Sequence, residues 1–71
     1  MQLDLHETSH EQAERELTEL IDDFIYTRNA ETIKVVTGNS ERMKEVVMGV
    51  IEEYGLAHIQ LVETEIIIWV N

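Results

Sequence analysis

His58-Ile59-Gln60-Leu61-Val62, Glu63-Thr64 and Glu65-Ile66-Ile67-Ile68-Trp69-Val70 are three consecutive pieces of sequence, and their reading decides the fold. The first piece alternates like a strand. The second leaves room only for a tight hairpin, so the strands on either side run antiparallel. The third is apolar on consecutive positions, the pattern of a strand covered on both faces, and therefore takes a central place in the sheet.

Working back from this hairpin, Thr32 to Val36 is a β-branched run and reads as a second strand. It leads into Thr37-Gly38-Asn39-Ser40, a loop of turn-formers. Ser40 caps a helix whose apolar face is Met43, Val46, Val47, Val50, Ile51 and Tyr54, with Gly55 just past its end. Gly49 weakens the middle of that helix, which points to close packing on a neighbour. Further back, Gln2 to Leu5 forms a first strand. Thr8 and Ser9 both stand three residues before Glu11 and Gln12, the spacing of a capping box. Ala13, Leu17, Leu20, Ile21 and Phe24 then recur at helical spacing, with Ile25 at the edge of the stripe. That helix ends near Arg28 and Asn29, with Asn29 expected in the left-handed position.

Each strand–helix–strand step is long enough for a right-handed crossover to a parallel strand. The expected fold is α/β in element alternation and α+β two-layer in build. The order is β-α-β-α-β-β, as one domain over residues 1–71, with a mixed four-stranded sheet, two helices on one face and the last strand central and antiparallel. Alternation turns Leu3, Leu5, Ile33, Val35, Ile59, Leu61, Ile66, Ile68 and Val70 towards the helices. It leaves Asp4, Lys34, Val36, Gln60, Val62, Ile67 and Trp69 on the open face. The apolar members Val36, Val62, Ile67 and Trp69 form either a shielded second core or a surface for a protein partner or second copy.

Composition limits the function. Fifteen acids against five bases give a net charge of −10, which repels phosphate backbones and disfavours tight nucleic-acid binding. There is no cysteine, hence no disulfide and no thiolate metal site. No apolar run reaches the roughly 20 residues of a membrane span. The first residues lack a basic region followed by an apolar one, so no signal peptide is expected and the expected location is cytoplasmic.

Two segments carry a resemblance. Leu3-Asp4-Leu5-His6 ends the first strand, and Thr37-Gly38-Asn39-Ser40 joins the second strand to the second helix. Together they resemble the LDLH and [HT]GxG motifs of the Smr (small MutS-related) domain family, over nearly the whole chain. The fold implied is similar to that of the C-terminal domain of translation initiation factor three, with the last strand inserted centrally. Three features depart from the family pattern: Ser40 replaces the loop's second glycine, the last hairpin is shortened, and few bases surround the loops.

The resemblance implies endonuclease action, nicking DNA or cleaving RNA, with Asp4, His6, Thr37 and Gly38 as the residues carried over. The residues themselves make this coherent. Parallel first and second strands would end side by side, where ligands bind in α/β sheets. His6 suits proton transfer near neutral pH. The backbone of Gly38, Asn39 and Ser40 at a helix start suits a phosphate, with Arg42 and Lys44 adding positive charge. The plainer roles are a cross-strand Asp4–Lys34 ion pair, a capping His6 and a turn glycine at Gly38. No cofactor is fixed by these residues, and a divalent metal is compatible with them. His6-Glu7-Thr8-Ser9-His10 spells H-E-x-x-H, but the capping residues between the histidines start the helix too late for a zinc site. A second function class is a non-catalytic acidic module that docks on a protein partner, or mimics nucleic acid, through the sheet face or the acidic first helix. It would be a monomer or a homodimer, without a membrane.

Overall fold

The computed structural model describes residues 1–71, in the order β1 (Gln2–Asp4), α1 (His10–Thr27), β2 (Glu31–Val36), α2 (Glu41–Tyr54), β3 (Ala57–Val62) and β4 (Glu65–Val70). The sheet order is β1-β2-β4-β3, with β1 and β2 parallel and β4 antiparallel to both its neighbours. The mixed sheet with β4 at its centre is the expected one. No helix is long and apolar enough to cross a membrane.

Local chemistry sets the helix ends. Ser9 is the N-cap of α1, and its hydroxyl accepts the Gln12 N–H at 3.2 Å. At the other end Arg28, not Asn29, takes the left-handed conformation, with φ 60°. The reason is the six-residue closing bond. The Asn29 N–H donates to the Phe24 carbonyl at 3.1 Å, which requires the left-handed turn one residue earlier. The Asn71 side chain donates to the same Phe24 carbonyl at 3.0 Å and to that of Asn29 at 2.8 Å, tying this helix end to the end of β4. In α2, Ser40 accepts the Met43 N–H at 3.1 Å, and Gly55 closes the helix at φ 66°.

Fourteen buried apolar side chains make one cluster. Ala13, Leu17, Ile21 and Phe24 come from α1, and Met43, Val47, Val50 and Ile51 from α2. The sheet contributes Leu5, Ile33, Val35, Ile66, Ile68 and Val70. At about 1.5–3 kcal/mol per fully buried aliphatic side chain, this cluster is the main source of stability. Gly49 does not pack closely, contrary to the expectation: it is exposed and a Cβ there would meet nothing within 4 Å. Tyr54 ties the two helices together instead, its hydroxyl donating to the Asp22 carboxylate at 2.5 Å. That bond pushes the phenol up to about 12.

The third strand corrects the face assignment. Ile59 and Leu61, expected towards the helices, are each about half exposed, and all of β3 is exposed. A two-residue turn carried on without interruption would set Ile59 opposite Ile68. The observed register breaks between Gln60 and Val62, where a bulge shifts the pairing. Upstream of it, Ile59 lies opposite Ile67 and Gln60 opposite Ile66, so Ile59 joins the open face and Gln60 leaves it. The Gln60 amide folds back over the turn, within 2.6 Å of the Val62 carbonyl and 3.1 Å of the Glu65 carbonyl. It thereby satisfies backbone groups that the bulge takes out of the ladder.

Candidate functional site at the end of the parallel strands

The parallel register pairs Asp4 with Val36, and the Leu5 N–H donates to the Val36 carbonyl at 2.8 Å. Both strands therefore stop at the same level, and the two segments that follow, His6 and Thr37–Ser40, emerge side by side. Gly38 sits at φ 69°, where a Cβ would lie 3.0 Å from the His6 Cβ. It is glycine for two reasons: the left-handed backbone and the close approach of His6.

Asp4 orients His6. One carboxylate oxygen accepts the His6 backbone N–H at 3.1 Å and stands 2.5 Å from the ring Nδ1. An ionised carboxylate can only accept, so it favours the proton on Nδ1 and turns Nε2 outward. Nε2 has Glu7 at 3.5 Å, and both side chains of the pair are about half exposed. The hydrogen bond from Asp4, helped by its charge, raises the His6 pKa above its ordinary 6.5. The same bond holds the Asp4 carboxyl below its ordinary 3.8. The shift extends to higher pH the range over which the ring carries its second proton and can act as a donor.

The expected cross-strand pair between Asp4 and Lys34 is not formed. Lys34 lies opposite Gln2, and its ammonium faces Glu65 at 4.0 Å. Thr37 also needs correcting. It is completely buried, its N–H donates to the Thr64 carbonyl at 2.8 Å, and its hydroxyl lies within reach of the Gly38 and Thr64 carbonyls. Thr37 holds the loop against the β3–β4 turn and has no surface with which to touch a substrate.

The residues expected to receive a phosphate are only partly available. Gly38, Asn39 and Ser40 surround the start of α2, where the first N–H groups lack intrahelical partners. Ser40 uses its oxygen as the cap. The Lys44 ammonium lies 3.3 Å from Glu41 and 3.5 Å from Glu63, and its side chain is largely covered. Arg42 is exposed and lies 3.7 Å from Glu45. Both cations have carboxylate neighbours, so the helix start is the main feature left there to attract an anion.

His6 and His10 are not on one helix face, because α1 begins at His10. No group of three or more His, Asp or Glu side chains is arranged to hold a metal ion. On the open face, Val36 and Ile67 are half-buried, while Val62 and Trp69 are exposed. Asp4, Val36, Glu65 and Val62 follow one another across the sheet by register, so this face runs up to the His6 site. The sequence reading missed the bracing roles of Gln60, Asn71 and Glu63. Each acts on a partner distant in structure or across a bulge, and no spacing rule points to it.

No protein-family model matches the chain, and neither a curated protein nor a solved structure matches it.

Proposed function

We propose that this protein is an Smr-like domain that acts on nucleic acid as a weak endonuclease, with His6 as the proton-transfer group. One observation carries the reading: the Asp4–His6 pair lies against Gly38, where two parallel strands end beside a helix N-terminus. The LDLH and TGNS segments are 30 residues apart in the chain and meet at a single place, which a chance resemblance between two short motifs does not require.

The chemistry follows from the groups present. A backbone phosphate seated at the start of α2 would meet the free N–H groups there. In RNA the neighbouring 2′-hydroxyl supplies the nucleophile. It attacks phosphorus and loses its proton to solvent, while the bond to the 5′-oxygen breaks. His6 in its protonated form, which the Asp4 carboxylate favours, donates its Nε2 proton to that leaving oxygen. Asp4 is a positioning residue, fixing the ring and its tautomer. Gly38 sets the distance between ring and loop. The covered Lys44 and the net charge of −10 make affinity low, and with so few free cations to displace counterions its salt dependence is shallow.

The test is cleavage of single-stranded RNA, duplex DNA and supercoiled plasmid at low salt, with and without Mg²⁺ or Mn²⁺. Wild type should cleave RNA and His6→Ala should not, with unchanged helical circular dichroism. Full activity in His6→Ala would remove the histidine from the mechanism.

A second reading, a non-catalytic module for a basic protein partner, is favoured by one observation elsewhere. A groove of about 350 Å³ between β1 and α1 has Met1, Leu3 and Leu20 as its apolar part and Glu16, Glu19 and Asp23 as its acidic part. That combination suits a Lys or Arg side chain, which lays its methylenes on apolar surface and its charge among carboxylates. Retained binding of a Lys/Arg-rich peptide, with no cleavage by wild type, would favour this reading.

A further inference from the structure

The sheet has two edges, and they are built differently. β1 is three residues long and carries Asp4. β3 is six residues long, exposed throughout, and free on the side away from β4. Proteins usually blunt such an edge with charge, proline, shortness or a covering element. Ala57–Val62 has no proline and no Asp, Glu, Lys or Arg, although the chain holds 15 acids and five bases. A bulge is the one protective device, and it leaves Ala57–Gln60 regular. Apolar exposure collects at the same place. Of the seven large hydrophobic residues that are exposed, Ile59, Leu61 and Val62 are on β3, and Trp69 is the cross-strand neighbour of Ala57.

We infer that β3 is a self-association edge, pairing antiparallel with β3 of a second copy about a two-fold axis and extending the sheet to eight strands. Charge selects this occupant. Two chains of net charge −10 repel over most of their surfaces, and β3 is a strand on which they can meet without opposing acids. A basic partner would find no carboxylate on the strand itself. An isologous strand pair also satisfies the free backbone groups of both copies at once. The regular stretch is short, so the dimer is weak, with a Kd on the order of micromolar or above. Salt should tighten it by screening the like charges that surround the strand. The inference is independent of the proposed chemistry at His6, which lies at the opposite edge.

The experiment is sedimentation velocity of the full chain from about 1 µM to about 1 mM, the range of weak affinities, at low and at high salt. Wild type should pass from monomer to dimer with concentration, and more readily at high salt. Ile59→Lys and, separately, Leu61→Lys should each raise the Kd by about tenfold or more, with circular dichroism unchanged. Tyr26→Lys, on exposed surface outside β3, should leave it unaltered. Hydrogen exchange provides a readout without substitution: amides of Ala57–Gln60 should gain protection as concentration rises. A wild type that stays monomeric at every concentration and salt would overturn the inference. So would a dimer weakened by salt, or one indifferent to both lysine variants.

Discussion

The two ends of the sheet behave differently, and the difference shows what specifies each. At the β1–β2 end one face lies on the core: Ile33 and Val35 of β2 and Leu5, just past β1, are fully buried, with Leu3 of β1 half-buried against them. Burial fixes the phase of the alternation, because a one-residue slip would expose all of these side chains. At the β3 end nothing is buried, so hydrophobicity exerts no such constraint. There the register is decided by a bulge and by the Gln60 amide that braces it. The same sheet therefore has one end specified by its core and one specified by hydrogen bonds at a turn.

The largest effect that would break this comparison concerns the hydrophobic residues themselves. Ile66→Ala, in β4 and wholly buried, should cost about 2–5 kcal/mol. Ile59→Ala, about half exposed, should cost less than about 1 kcal/mol. Urea unfolding of the two variants checks this, and equal losses would mean that β3 is covered in solution. Next comes Gly38→Ala. A side chain at φ 69°, pressed on His6, should cost about 1–2 kcal/mol and shift the His6 resonances. A smaller change of opposite sign is expected from Gly49→Ala, which should stabilise by up to about 1 kcal/mol, since the added methyl meets nothing. Gln60→Ala should cost about 0.5–1 kcal/mol and speed amide exchange through Val62–Glu65, leaving β1 and β2 unaffected.

This contrast also explains what was legible in the sequence. The consecutive apolar run Ile66–Val70 disclosed the central position of β4, although only Ile66, Ile68 and Val70 are buried and the open face leaves Ile67 half-buried and Trp69 exposed. The caps Ser40 and Gly55 were legible, and Ser9 as one of two candidates with Thr8, because helix ends demand particular residues at particular offsets. The face of Ile59 and the exposure of Leu61 were not legible. The bulge that moves Ile59 to the open face is one register step at Leu61, where the Gln60 amide meets the turn carbonyls, and alternation by itself cannot register it. At the site, the neighbours His6 and Gly38 followed from parallel strands, and Gly38's need for a positive φ followed from its place in a turn. The burial of Thr37 and the neutralising of Lys44 by Glu63 did not follow, because both depend on where the β3–β4 turn folds back.

The smallest predicted effect is on pH dependence. His6 has a raised folded pKa, so its contribution to stability is full below 6.5 and is lost as pH rises through that raised value. Asp4 has a lowered folded pKa, so its contribution is present above 3.8 and is lost as pH falls through the lowered value. The pair thus stabilises most between 3.8 and 6.5. Asp4→Asn should bring the His6 titration, followed by NMR, back towards 6.5 and flatten the alkaline side of this window. An unchanged His6 titration would show that the carboxylate does not hold the ring in solution.

The proposed function places its chemistry where β1 and β2 end. The most direct measurement is an NMR titration of the ¹⁵N-labelled protein with a short single-stranded oligoribonucleotide at low salt. Shifts are expected at His6, Gly38, Asn39, Ser40 and the first turn of α2, diminished in Asp4→Asn. Shifts confined to other surfaces, or none at millimolar oligonucleotide, would contradict it.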